Sequence, residues 1–130
     1  MKKLTRLPDT ELEVMKVVWQ KGSGMSTSEI KQELDNQRTW NVSALQTLLN
    51  RLIDRGFLTS YKKGKNKLYD IVIEQKEYLA FENGSFLKKI NENSVTKLVA
   101  SLYHSHCITK KDLKELAEFI EKSTEGDENV

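Results

Sequence analysis

Cysteine is nearly absent: Cys107 is the single thiol in 130 residues, so no internal disulfide can form. Such usage fits a reducing compartment. Long apolar runs are missing as well. No stretch approaches the length needed to span a bilayer, and Met1-Lys2-Lys3-Leu4 is followed by Asp9, Glu11 and Glu13 where a signal peptide would be apolar. The expectation is a cytoplasmic protein with no membrane partner. There is no phosphate-binding glycine loop, no nucleophile with a matched base and no carboxylate pair set for acid–base work, so the chain is read as a non-enzyme without a cofactor. The one metal-like cluster is His104, His106 and Cys107. These near-adjacent residues have no second ligand pair elsewhere, and no metal site is assigned. The histidines suit the negative end of a helix dipole, and Cys107 is read as a small buried or interface residue.

With 38% apolar and 31% charged residues, the chain has the composition of a folded domain and not of a disordered one. Its length suits one compact domain or two small ones. Net charge is only +2, but it is unevenly spread. Residues 1–73 hold 13 Lys+Arg against 8 Asp+Glu, while residues 74–130 hold 8 against 11. From Arg38 to Lys67, seven basic residues face Asp54 alone. A basic patch on a chain of modest total charge points to a polyanion at one surface.

Three helices are expected in the first part. Pro8, Asp9 and Glu11 signal a helix start, Leu12, Met15, Val18 and Trp19 supply a buried face, and Gly22 and Gly24 end it. Ser26 and Glu29 form a capping box for a second helix anchored by Ile30 and Leu34. Asn41 is an N-cap for a third, which Arg55-Gly56 closes. This third helix has two stripes. Val42, Leu45, Leu48, Leu49, Leu52 and Ile53 belong in a core. Opposite run Ser43, Gln46, Thr47, Asn50, Arg51 and Asp54, small hydrogen-bonding side chains beside an Arg, which suit base edges and phosphate. A solvated face is the plain alternative. Trp19 is expected to pack in the core, and Trp40 either to pack at the start of the third helix or to lie beside a DNA backbone.

From Phe57 the apolar period changes to two, through Tyr61 and again from Leu68 to Ile73, around the tip Lys62-Lys63-Gly64-Lys65-Asn66-Lys67. Lysines at such a place protect a sheet edge or, after a helix pair with a groove-ready face, touch phosphates. The order reads as a winged helix-turn-helix, mainly α with a small hairpin wing, over residues 1–73. Residues 74–123 are read as a helical dimerisation region in three short pieces, the first interrupted at Asn83-Gly84 and the last starting at a Thr109/Asp112 box. These helices bury too little alone and need a partner surface, either the first domain of the same chain or, as the favoured reading, a second copy, with Leu98, Leu102, Leu113, Leu116 and Ile120 as the expected contacts. An acidic tail, expected to be flexible, covers 124–130.

The segments Asp9-Thr10-Glu11-Leu12-Glu13-Val14-Met15-Lys16-Val17-Val18-Trp19, Trp40 through Thr47-Leu48-Leu49-Asn50-Arg51-Leu52, Gly56-Phe57-Leu58 and Leu68-Tyr69 carry a resemblance. Over about residues 7–122 the chain resembles the penicillinase-repressor family, the BlaI/MecI type with its copper-responsive CopY branch. The resemblance implies a repressor with a winged helix, dimeric through its C-terminal helices and held on a palindromic double-stranded DNA operator until a signal releases it. In the family that signal is a regulatory protease or a metal. The copper-branch tail of paired Cys-x-Cys motifs is absent here, and the Asn-Phe bond cleaved in penicillinase-type members is replaced at Ala100-Ser101-Leu102. The releasing signal therefore stays unassigned. Base-facing positions are expected at Ser43, Ala44, Gln46 and Thr47, with Asn50 beside them, and phosphate contacts at Arg51, Lys62, Lys63, Lys65 and Lys67. A winged helix used only as a protein-interaction module is the alternative from another class.

Overall fold

The computed structural model describes residues 4–125, in two compact units that divide between Asn83 and Gly84. In the first unit, helix α1 (Asp9–Lys21) starts at Pro8, whose carbonyl accepts the Leu12 N–H at 2.9 Å. It stops at Gly22, where φ is +99°, a conformation that glycine adopts without a Cβ penalty. Its buried face is Glu11, Val14, Met15 and Val18, while Leu12 and Trp19 are only partly covered. The apolar stripe is thus turned toward Val14 from the one read in sequence. A two-residue strand β1 (Met25–Ser26) follows, and then helix α2 (Thr27–Asp35). Ser26 and Glu29 form the expected capping box, with bonds of 3.2 and 2.9 Å.

Helix α3 (Val42–Asp54) buries Leu45, Leu48, Leu49 and Leu52. Val42 departs from its expected place in that stripe: it is 56% exposed. It occupies the first helical position, where the stripe has run past the edge of the core. Arg55 and Gly56, with φ +86° at the glycine, turn the chain into β2 (Leu58–Lys63), which pairs with β3 (Asn66–Ile71). Sheet order is β1-β3-β2, all antiparallel. Gly64 and Lys65 alone make the turn, and φ of +65° at Gly64 meets its left-handed requirement. The inward face carries Leu58 opposite Ile71 and Ser60 opposite Tyr69.

The core closes beyond the hairpin. Trp19 donates its indole N–H to the Ile73 carbonyl at 2.9 Å, and Tyr78 accepts the Leu7 N–H at 2.7 Å while its ring meets Phe57 edge-on. Burial and the Leu7 bond place Tyr78 firmly in the first unit, which therefore runs past the boundary at residue 73. Tyr78 belongs to helix α4 (Gln75–Asn91), a single helix that passes through Asn83-Gly84 without the interruption expected there. One helical glycine costs only about 1 kcal/mol relative to alanine, too little to break it.

In the second unit, α5 (Val95–His104) is capped by Ser94, which accepts the Lys97 N–H at 3.1 Å. Helix α6 (Lys110–Glu125) starts at the Thr109/Asp112 box, with reciprocal bonds of 2.8 and 3.1 Å. No residue of α5 or α6 is buried. Thr124 and Glu125 are helical, so the segment read as a tail from 124 begins inside α6; residues 126–130 lie outside the described residues. Among the described residues, no helix is long and apolar enough to cross a membrane.

Candidate nucleic-acid interface

Helix α3 is held at its start by Asn41, whose Oδ1 accepts the N–H groups of Ser43 and Ala44 at 2.8 and 3.2 Å and the Ser43 hydroxyl at 2.6 Å. One turn on, the Thr47 hydroxyl donates to the Ser43 carbonyl at 3.0 Å. Both hydroxyl protons are therefore used within the helix. Each oxygen keeps lone pairs for an outside donor, which suits the amino groups that adenine and cytosine show in the major groove. Ser43, Ala44, Thr47, Asn50 and Arg51 are exposed along this face, as expected. Gln46 is different. It is half-buried, and its Nε2 donates to the Tyr69 hydroxyl at 3.1 Å.

The approach to α3 is braced by Asp35, which accepts the Lys31 ammonium at 2.6 Å and the Trp40 N–H at 2.9 Å. The Lys31 bond, and after it the Trp40 N–H, hold the Asp35 carboxyl below the ordinary carboxylate range. Trp40 itself is buried. The Arg38 guanidinium lies 4.3 Å from its ring centroid and also pairs with Glu13 at 2.9 Å. Packing is thus the role of Trp40 that the structure favours. A concavity of about 530 Å³ opens beside it, where Thr10 and Arg38 face Ala44, Thr47 and Arg51. From sequence Arg38 is only the start of the basic run and Thr10 carries no site role, because α1 and the α2–α3 connection meet α3 only in the folded chain.

Lys62, Lys63 and Lys65 are exposed on the hairpin, with Lys62 and Lys63 on β2 and only Lys65 in the turn. Lys67 is half-buried, its Nζ 5.7 Å from the Tyr69 ring centroid. Lys62 and Lys67 sit directly opposite each other across the hairpin. Like charges in that relation weaken a strand pair, so hairpin stability does not account for them.

In the second unit, Leu113, Leu116 and Ile120 line an apolar groove of about 430 Å³ with Val95, Val99 and Tyr103. Leu98 and Leu102 are half-buried and do not line it. Phe119 is 65% exposed on α6, although it was not among the contacts read from sequence. Cys107 is exposed in the chain and not buried; the Ser105 hydroxyl donates to its Sγ at 3.3 Å.

The family model described as "Penicillinase repressor" matches residues 7–122. A penicillinase repressor of Bacillus licheniformis is 33% identical over 122 residues, covering 94% of each chain. The methicillin resistance regulatory protein MecI of Mammaliicoccus sciuri is 25% identical over 120 residues, 92% of this chain and 97% of that one. Among solved structures, the monomeric form of Bacillus licheniformis BlaI in complex with the blaP half-operator matches with a TM-score of 0.50 at 41% identity, covering 60% of this chain and 94% of that one.

Proposed function

The chain belongs to the penicillinase repressor family, and from that premise we propose that it represses transcription by binding a palindromic double-stranded DNA operator as a homodimer. It is not an enzyme. The observation that carries the reading is the exposed polar face of α3, ending in Arg51 and standing in one compact unit with a hairpin that pairs Lys62 against Lys67. Ser43, Ala44, Gln46 and Thr47 face base edges, with Asn50 beside them. Arg51, Lys62, Lys63, Lys65 and Lys67 take phosphates and fix register without reading sequence. The half-operator complex of the related BlaI supports a DNA partner.

Two copies are proposed because no described residue of α5 or α6 is fully buried within the chain, while Leu113, Leu116, Ile120 and Phe119 leave an apolar surface in need of a cover. Symmetric pairing supplies that cover and sets two readers on two half-sites. Sequencing genomic fragments retained by the purified protein tests the whole reading. An inverted repeat among the retained fragments is the expected result. Fragments without a shared sequence, or no retention at low salt, would favour a protein-interaction module.

A further inference from the structure

Tyr69 lies on the central strand of the sheet and is fully buried, yet its hydroxyl lies within hydrogen-bond reach of groups on two helices. It accepts from Gln46 Nε2 on α3 at 3.1 Å and lies 3.2 Å from Thr27 Oγ1 in the first turn of α2. Having accepted from Gln46, the phenol must place its own proton elsewhere, because an unpaired buried proton is costly. Thr27 Oγ1 is the acceptor within reach. With Gln46 as donor, the chain of bonds then runs from Gln46 through Tyr69 to Thr27.

That direction decides what Gln46 can offer DNA. A carboxamide carries two Nε2 protons and one Oε1. With one proton held by Tyr69, the remaining proton and Oε1 form a donor–acceptor edge. In the major groove, that edge matches adenine, which shows N7 as acceptor and N6–H₂ as donor. Resting on the proposal that α3 reads DNA, we infer that Tyr69 is a positioning residue that fixes the Gln46 amide to read an adenine in each half-site. Tyr69 touches no base itself. Its effect is on specificity, through a side chain that would otherwise lose rotamer freedom on binding.

The test is selection from a randomised duplex pool by the full-length protein, its Tyr69→Phe variant and its Gln46→Ala variant. Expected is a motif with one A·T position per half-site whose preference falls about fivefold in Tyr69→Phe, as for one lost hydrogen bond, and further in Gln46→Ala. Preference elsewhere and the salt dependence should not move. Replacing that adenine by 7-deazaadenine should weaken the wild type about fivefold and leave Gln46→Ala unchanged, an arm that does not depend on the stability of Tyr69→Phe. An unaltered motif in Tyr69→Phe, an even loss at all positions, or 7-deazaadenine tolerated by the wild type overturns the inference while the DNA reading stands. No motif from the wild type overturns the DNA reading itself.

Discussion

Glu11 and Arg55 form an ion pair across 44 residues of sequence, Arg55 Nε to Glu11 Oε1 at 2.8 Å, with the Glu11 side chain 1% exposed and the Arg55 side chain 35%. It ties the first turn of α1 to the end of α3, and so sets the angle at which the proposed reading helix leaves the core. The two partners are unequal. Removing Arg55 strands a carboxylate with no access to water, whereas removing Glu11 leaves a guanidinium that water still reaches.

Arg55→Ala should therefore cost about 3 kcal/mol and Glu11→Gln about 1–2 kcal/mol, as the penalties for a stranded and a hydrated partner differ. Urea denaturation midpoints of the two variants check the order. Equal losses would mean that the pair is not buried as described.

Asp35 should make stability depend on acid. Its folded carboxyl titrates below the ordinary value of 3.8, so the unfolded chain binds the proton first. The stabilisation is complete above that value and is lost as pH falls through the lower folded one. Asp35→Asn should flatten the stability curve below pH 3.8 and leave the slope at neutral pH alone. Tryptophan fluorescence follows the transition, since Trp40 is buried beside Asp35 and its backbone N–H is one of the two donors to that carboxylate.

Lys63→Ala should weaken operator and random duplex alike and reduce the slope of log K against log salt by about one, the signature of one lost phosphate contact. Fluorescence anisotropy across a salt series measures it. Selective loss on the operator alone would assign Lys63 to base reading instead.

Phe119→Glu should leave the folded monomer intact, because the ring is 65% exposed, and weaken self-association about tenfold or more if it is an anchor of the dimer. Sedimentation velocity of the full chain gives the answer. A dimer of unchanged strength would move the interface away from α6.

Local signals were readable in the sequence where the interaction that decides them is local. Ser26 with Glu29, Asn41 with its two N–H groups and Thr109 with Asp112 span at most three residues, and each cap forms where the residue types place it. The winged-helix order and the exposed face of α3 follow from the same short-range patterns. What escaped depends on distant partners. Glu11 looks like a solvated first-turn acid until Arg55 arrives, and Gln46 looks like a free reader until Tyr69, 23 residues on, takes its amide proton. Strand β1 has two residues and so no period to detect. Asn83-Gly84 resembles a break, but the penalty of one glycine is smaller than what continuing α4 supplies. Val42 follows the apolar period and still faces outward, since periodicity says nothing about where the core ends.

The central claim is that α3 and the lysine-bearing hairpin form the surface that meets DNA. Backbone amide chemical shifts of the full-length protein, recorded as an operator duplex is added at low salt, test it most directly. The account predicts changes concentrated at Ser43, Ala44, Gln46, Thr47, Asn50 and Arg51 and along Lys62 to Lys67. Changes confined to α5 and α6, or none at all, would contradict it.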